Sequence, residues 1–170
     1  MSMLRHGFTL IDLVVSIGIF ALVATAVVVN FNAGSRNDSV RQAANIVATT
    51  LRRAQSMTLS GAELSNGTFP KGGYGVRFDQ GKPGEVTLFA DIDGNFNYTD
   101  FSEALENITL PKENATSGAT LNVVFSSPDG DVYFNGVATE SSKTISITAP
   151  QADVAKSVIM YRLSGQVRVE

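Results

Sequence analysis

The sequence predicts an α+β protein in which a long N-terminal α-helix, transmembrane in its first half, packs on an antiparallel β-sheet head. Three observations predict this fold class. Residues 8–31 form an apolar run with almost no charge. Within residues 39–60, apolar positions recur every three or four residues, as they do on one face of a helix. Beyond Gly61 the apolar residues alternate with period two, which is typical of strands.

The apolar run from Phe8 to Phe31 is long enough to cross a membrane. Its 24 residues contain one ionisable side chain, that of Asp12. A helix of this length reaches about 36 Å, more than the ~30 Å hydrocarbon core of a bilayer. Its fifteen Phe, Leu, Ile and Val residues favour insertion by roughly 4.5 to 9 kcal/mol, against about 2.5 to 3.5 kcal/mol for the carboxylate. Insertion is therefore expected, and the charge of Asp12 needs a partner in the membrane.

Cleavage between Gly7 and Phe8 would create such a partner, because the new α-amino group of Phe8 is a cation. The run Gly7–Asp12, GFTLID, followed directly by an apolar helix, resembles the processing site of type IV pilins and pseudopilins. In that family the residue at the position of Asp12 is usually Glu, which is one methylene longer. Asp12 keeps the negative charge, but its carboxylate extends less far from the helix backbone than that of Glu.

The resemblance implies a pilin-like fold and a defined maturation. A membrane-bound prepilin peptidase would remove the leader, residues 1–7, by cleaving after Gly7 on the cytoplasmic side, and would methylate the amine of Phe8. Residues 8–31 would then span the inner membrane with the N-terminus inside and the head in the periplasm or outside the cell. An assembly ATPase and an inner-membrane platform protein would add the subunit to a filament of related subunits. There Asp12 would neutralise the Phe8 amine of its own or a neighbouring subunit.

Two other interpretations of the apolar run stay open. A secretory signal peptide is one, because Ala24-Thr25-Ala26 is an A-x-A-like cleavage site. Against it, a charge lies at the start of the run, and the run continues through Val27–Val29. A plain signal-anchor helix is the other, and it accounts for neither the GFTLI sequence nor Asp12.

Residues 32–61 are predicted to continue the helix as an amphipathic segment, in one piece or as two collinear helices. Gly61 is expected to end the helix as a C′ residue. The run Leu51–Ser56, LRRAQS, resembles the corresponding helix of GspH/FimT-like minor pseudopilins. The apolar stripe that predicts packing against the head consists of Val40, Ala44, Val47, Leu51, Ala54 and Thr58.

The head, residues 62–170, is predicted to be mostly antiparallel β-structure with Gly, Pro, Asp and Asn turns between strands. Two of its stretches resemble GspH/FimT-like pseudopilins: Phe125–Gly130, with a Phe-x-Pro-x-Gly-like turn, and Tyr161–Val169, a closing hairpin. Strands are predicted over Tyr74–Phe78, Glu85–Ala90, Asn107–Leu110, Thr120–Ser126, Val132–Asn135, Thr144–Thr148, Ser157–Leu163 and Gln166–Val169.

The densest polar cluster of the head, residues 91–103, predicts either a calcium loop or a solvated turn. Ca²⁺ binds six to eight hard oxygen ligands, which closely spaced carboxylates and amides can supply. The pattern departs from an EF-hand, because Phe96 stands where Gly is required and the last acid comes one residue late. The candidate ligands are Asp91, Asp93, Asn95, Asn97, Asp100 and Glu103.

Composition limits the remaining functions. The chain has no Cys, and its only His, His6, lies in the leader, so the mature protein could not form a Ser-His-Asp triad or a thiolate centre. An enzyme is therefore not expected. Some FimT-like pilins bind DNA through a C-terminal Gly-Arg-x-Arg, of which this chain keeps Arg168 but not the first Arg. DNA binding is not favoured, because the head carries eight Lys and Arg against fourteen Asp and Glu.

Overall fold

The computed structural model describes residues 9–111, 113–150 and 152–170, without the side chains of residues 29–33. One helix, α1, runs over Leu10–Leu59. The chain divides into two units, Met1–Ser35 and Arg36–Glu170, so that α1 belongs to both. The helix continues through Asn32–Ser35, so of the two predicted alternatives, one helix or two collinear helices, the single helix is the one observed.

In the second unit, α1 buries the predicted apolar stripe. Val40, Ala44, Val47, Leu51 and Ala54 are all fully buried, and Thr58 is nearly so. Ala43 and Ala48 are also fully buried, which makes the contact face wider than the stripe. The small alanine side chains let neighbouring structure approach the helix closely, so this half of α1 forms one side of the hydrophobic core.

The C-terminus of α1 is closed by a Schellman motif centred on Gly61. The amide of Ala62 donates to the Met57 carbonyl (2.9 Å), and the amide of Gly61 donates to the Thr58 carbonyl (3.1 Å). Gly61 has φ +61°, a left-handed conformation that costs glycine little. The prediction that Gly61 ends the helix is confirmed.

Nine strands follow within the described residues, and all their pairings are antiparallel. They form a five-stranded sheet in the order β3-β2-β1-β5-β6 and a four-stranded sheet in the order β4-β7-β8-β9. The strands are β1 Gly73–Phe78, β2 Glu85–Asp91, β3 Ala104–Thr109, β4 Ala115–Ser117, β5 Leu121–Phe125, β6 Val132–Phe134, β7 Ser142–Thr148, β8 Lys156–Tyr161 and β9 Val167–Val169.

The core lies where both sheets meet the second half of α1. Alternate residues of β1, namely Tyr74, Val76 and Phe78, point into it, as the period of two requires. The four-stranded sheet contributes Ile147 and Met160 to the same cluster. The observed fold is thus α+β, with a helix packed on antiparallel sheets.

The other face of the five-stranded sheet is partly covered by the loop of residues 92–103, here called the acidic loop. Phe89 is fully buried on this face, and the Tyr98 ring meets it edge-on at 5.3 Å between centroids. Phe96 stacks on Tyr133 of β6 with ring centroids 3.9 Å apart. These aromatic contacts fix the loop against the sheet.

The structure corrects the predicted strands in three respects. The strands form two sheets and not one, because β4, β7, β8 and β9 pair with one another and not with the strands of the five-stranded sheet. The three-residue β4 was missed, since its hydrogen bonds come from a partner distant in sequence. β3 begins at Ala104 and not at Asn107, because a register shift at Leu88/Phe89 lets Ala104 pair with β2.

Candidate functional site

The predicted processing residues Gly7 and Phe8 lie outside the described residues, whereas Asp12 lies in the first turn of α1. The Thr9 amide donates to Asp12 Oδ2 (3.1 Å), as does the Thr9 hydroxyl (2.7 Å). The Asp12 amide in turn donates to Thr9 Oγ1 (3.3 Å). This reciprocal pair is a capping box, and it turns the carboxylate back towards the positive end of the helix dipole.

Directly behind this cap, α1 is apolar on all sides. The segment Leu10–Val28 has a mean hydropathy of 2.5, and it is long and apolar enough to cross a membrane. Its large side chains are exposed all round the helix, from Leu10 and Ile11 to Phe20 and Leu22. A continuous apolar surface of this size is stable only against lipid or against other apolar helices.

The acidic loop is organised by two buried carboxylates at its ends. Asp91, at the end of β2, is fully buried and accepts hydrogen bonds from the amides of Gly94 (2.8 Å), Asn95 (3.2 Å) and Phe96 (2.7 Å). Glu103, immediately before β3, is 3% exposed and accepts from the amides of Ile92 (3.2 Å) and Thr99 (2.8 Å). Two carboxylates thus satisfy five backbone amides of one loop.

Three of the six predicted ligands come together in this loop. Oxygens of Asp91, Asp93 and Glu103 all lie within 4.8 Å of one another. Burial raises the pKa of Asp91 above its usual value, and the amides of Gly94 and Phe96 partly offset this rise. The neighbouring Asp93 raises the pKa of Asp91 further. Asp91 and Glu103 are buried and Asp93 is exposed, so three acids are crowded at the edge of the loop, and a bound cation would relieve their mutual repulsion.

The backbone turns sharply at Phe96, which has φ +58°. A bulky residue is uncommon in this left-handed region. Phe96 occupies the sixth position from Asp91, where a calcium loop needs glycine for its turn. The sequence departs from the calcium-loop pattern at this position, but the backbone adopts the required kind of conformation. The Phe96–Tyr133 stack helps to hold it.

The other predicted ligands have different partners. Asn95 donates its side-chain amide to Asp93 (2.7 Å) and Thr99 (2.7 Å). Asp100 accepts from the Ser102 hydroxyl and amide, which lower the pKa of Asp100, and it is not part of the three-carboxylate group. The Asn97 side-chain oxygen accepts from Asn122 of β5. Asn97 thus ties the loop to the sheet.

Arg168, the candidate DNA contact, lies on β9 with its side chain exposed. Its Nε lies 3.2 Å from the Glu170 carboxylate. This acid offsets the positive charge that a phosphate contact would use.

Sequence reasoning missed a polar row on the outer face of the five-stranded sheet. Strand pairing aligns Asn107, Thr87, Arg77 and Asn122 across four adjacent strands. Each residue occupies an outward position in an alternating strand, which is a signal visible in the sequence. Their alignment depends on strand register, which the sequence does not specify.

The structure defines an α+β protein with a candidate membrane-spanning helix and a two-sheet head. Comparison with protein-family models, with curated proteins and with solved structures finds no match.

Proposed function

We propose that this protein is a structural subunit of a type IV pilin-like filament, processed after Gly7 and N-methylated at Phe8. The filament is a pilus, a type II secretion pseudopilus or a DNA-uptake filament, and the resemblance to GspH/FimT-like pseudopilins favours a minor or initiating subunit. Its partners are other pilin subunits, the prepilin peptidase, the inner-membrane assembly platform and membrane lipid. The N-terminus lies in the cytoplasm, and the head lies in the periplasm or outside the cell.

The observation that carries this proposal is one acid at the start of an otherwise apolar, exposed helix. Asp12 is the single ionisable residue of Leu10–Val28. A membrane anchor alone needs no carboxylate there, and a carboxylate weakens insertion, by about 2.5 to 3.5 kcal/mol at the centre of a span and by less near its end. A filament subunit needs the carboxylate, because its negative charge neutralises the new α-amino group of Phe8 when helices pack together away from water.

The capping box makes a sharp experiment possible, because Asp12 has a structural role as well as the proposed electrostatic one. Asp12→Asn keeps an oxygen that can accept from Thr9 but removes the charge. Asp12→Ala removes both the charge and the acceptor, while the bond from the residue 12 amide to Thr9 Oγ1 can still form. Asp12→Glu keeps the charge and restores the residue usual in the family.

Incorporation is measured by immunoblotting sheared filaments and membranes from the native cells. We expect Asp12→Asn and Asp12→Ala to accumulate in the membrane without entering filaments, and Asp12→Glu to enter them. Asp38→Asn is the matched control, since Asp38 is an acid in the second unit with a local Arg41 partner at 3.2 Å. Normal incorporation of Asp12→Asn would show that capping alone explains the carboxylate, and the charge-pairing proposal would be wrong.

We further propose that the acidic loop binds one calcium ion through Asp91, Asp93 and Glu103. The crowding of these carboxylates and the left-handed conformation of Phe96 favour this proposal. The alternative is that the five amide hydrogen bonds to Asp91 and Glu103 suffice to hold the loop as a metal-free turn. The two alternatives predict different responses of the head to calcium.

Thermal unfolding of the full chain in lipid nanodiscs distinguishes them. Calcium at 100 times its Kd would stabilise the head by about 2.7 kcal/mol relative to EDTA. That corresponds to a rise in Tm of roughly 6–12 °C. Asp93→Asn should abolish this response, whereas Asp129→Asn, which changes an exposed acid outside the loop, should keep it. An equal Tm in calcium and EDTA, or a calcium response that survives Asp93→Asn, would contradict the proposal.

A further inference from the structure

A small cleft lies beside the polar row on the outer face of the five-stranded sheet. Its floor comes from neighbouring strands, because register places Arg77 of β1 opposite Thr87 of β2 and Thr87 opposite Asn107 of β3. The Thr87 hydroxyl donates to Asn107 Oδ1 (2.8 Å). The floor therefore presents hydroxyl, amide and guanidinium groups that rigid strands hold at fixed spacing.

The wall of this cleft is aromatic and comes from the acidic loop. Tyr98 is held from two sides, by Phe89 edge-on and by the Arg77 guanidinium, whose carbon lies 4.8 Å from the centre of the Tyr98 ring. Phe101, further along the loop, is 86% exposed. An isolated phenylalanine this exposed buries little of its own surface in the fold, so its ring is available to a ligand.

The charges around the cleft balance. Arg77 and Lys82 face Asp79 and Glu85, and Arg77 already pairs with Asp79 at 3.0 Å. Neither a phosphate nor a metal ion would find an uncompensated charge of the required sign. The cleft volume is about 120 Å³, which suits one small ring and not an extended chain.

We propose that this cleft binds one ring of a neutral saccharide. A sugar ring has an apolar C–H face that packs on an aromatic ring, here Phe101 with Tyr98, and hydroxyls that match paired polar side chains, here Thr87, Asn107 and the Arg77–Asp79 pair. Such a ligand needs no net charge and fits a cleft with one apolar wall and a hydrogen-bonding floor. Head residues alone line this cleft, so its test does not depend on the processing of the N-terminus.

Saturation-transfer NMR on the full chain in lipid nanodiscs, with no glycoside detergent present, tests the proposal. The probes are glucose, galactose, mannose and N-acetylglucosamine, with a sulfated and a sialylated sugar for comparison. A hexose of about twelve non-hydrogen atoms at ordinary ligand efficiency gives a Kd on the order of millimolar. We therefore expect at least one neutral sugar to bind at about 10 mM, with the strongest transfer to the protons of one ring face.

Phe101→Ala and Asn107→Ala should each weaken this binding about tenfold or more. Phe69→Ala is the matched control, because Phe69 is an exposed phenylalanine outside the cleft, and it should change nothing. Unchanged Tm values of the variants would exclude unfolding as the cause. The proposal is overturned if none of the four neutral sugars binds, if only the charged sugars bind, or if Phe101→Ala binds as well as the unaltered chain.

Discussion

Thr58 joins the last turn of α1 to the central strand β1 and its neighbour β5 in the five-stranded sheet. Its Oγ1 accepts a hydrogen bond from the Tyr74 amide of β1 (3.0 Å) and lies 3.1 Å from the carbonyl oxygens of Ala54 and Phe125. A hydroxyl has one proton, so it donates to one of these carbonyls at a time. Thr58 is 3% exposed, so water cannot replace it.

Thr58→Val keeps the shape of the side chain and removes these hydrogen bonds. The Tyr74 amide would then lose a buried acceptor, and an unsatisfied buried donor costs about 1–3 kcal/mol. With the lost donation to a carbonyl added, we expect about 2–3 kcal/mol of destabilisation. For a head of this size that lowers the Tm by roughly 6–12 °C.

Thr50→Val is the matched control. Thr50 is 5% exposed and lies on the same helix, but its hydroxyl donates only within the helix, to the Ile46 carbonyl (2.9 Å). Because both substitutions exchange one β-branched residue for another, helix propensity changes equally. The control should lower the Tm by less than about 3 °C.

Tyrosine fluorescence of the full chain in nanodiscs provides the assay. The chain has no Trp, and its four Tyr residues all lie in the head, so the signal reports the unfolding of the head and not of the membrane helix. Equal losses of Tm in Thr58→Val and Thr50→Val would refute the inference that Thr58 links helix to sheet.

Two glycine substitutions test close packing and the end of α1. Gly75→Ala would place a Cβ 2.6 Å from both the Phe89 ring and the Val123 carbonyl oxygen, so we expect at least about 1–3 kcal/mol of destabilisation. Gly81→Ala is the control and should be nearly neutral, because its Cβ would make only an ordinary contact. Gly61→Ala should cost about 1 kcal/mol, since φ +61° disfavours a side chain. Both are measured by tyrosine fluorescence during urea unfolding, and a Gly75→Ala chain as stable as Gly81→Ala would contradict the packing described.

The helical part of the fold could be predicted well, because local rules determine it. Spacings of three and four residues identified the buried face from Val40 to Thr58, and one glycine identified the end of the helix. Whether the helix continued through Gly34 was left open by the sequence. A single glycine weakens a helix by about 1 kcal/mol, which flanking helical turns can outweigh.

For the β-structure, the positions of most strands could be predicted, but their pairing into sheets could not. The alternating runs identified eight of the strands, with shifted ends. The division into two sheets and the short β4 depend on partners far away in sequence, which periodicity does not reveal. The polar row was missed for the same reason, since Arg77 of β1 and Asn107 of β3 come into one row only through Thr87 on the strand between them.

In the acidic loop, the spacing of oxygen donors along the sequence predicted only part of the group that the structure brings together. Six oxygen donors were predicted as one ligand set, but the structure gathers Asp91, Asp93 and Glu103. Asn97 instead pairs with Asn122, and Asp100 with Ser102. Short polar side chains readily bond to nearby backbone and side-chain groups, so alternation along the chain does not make every donor converge.

The mass of the mature N-terminal peptide, isolated from native membranes, tests the central proposal most directly. A filament subunit of the proposed kind must begin at Phe8 and carry one methyl group on its α-amine. That amine is the cation whose charge Asp12 is proposed to neutralise. A chain that begins at Met1, or at Val27 after signal-peptide cleavage, would lack that amine beside Asp12. Either result would contradict the filament proposal and leave a singly anchored or secreted head.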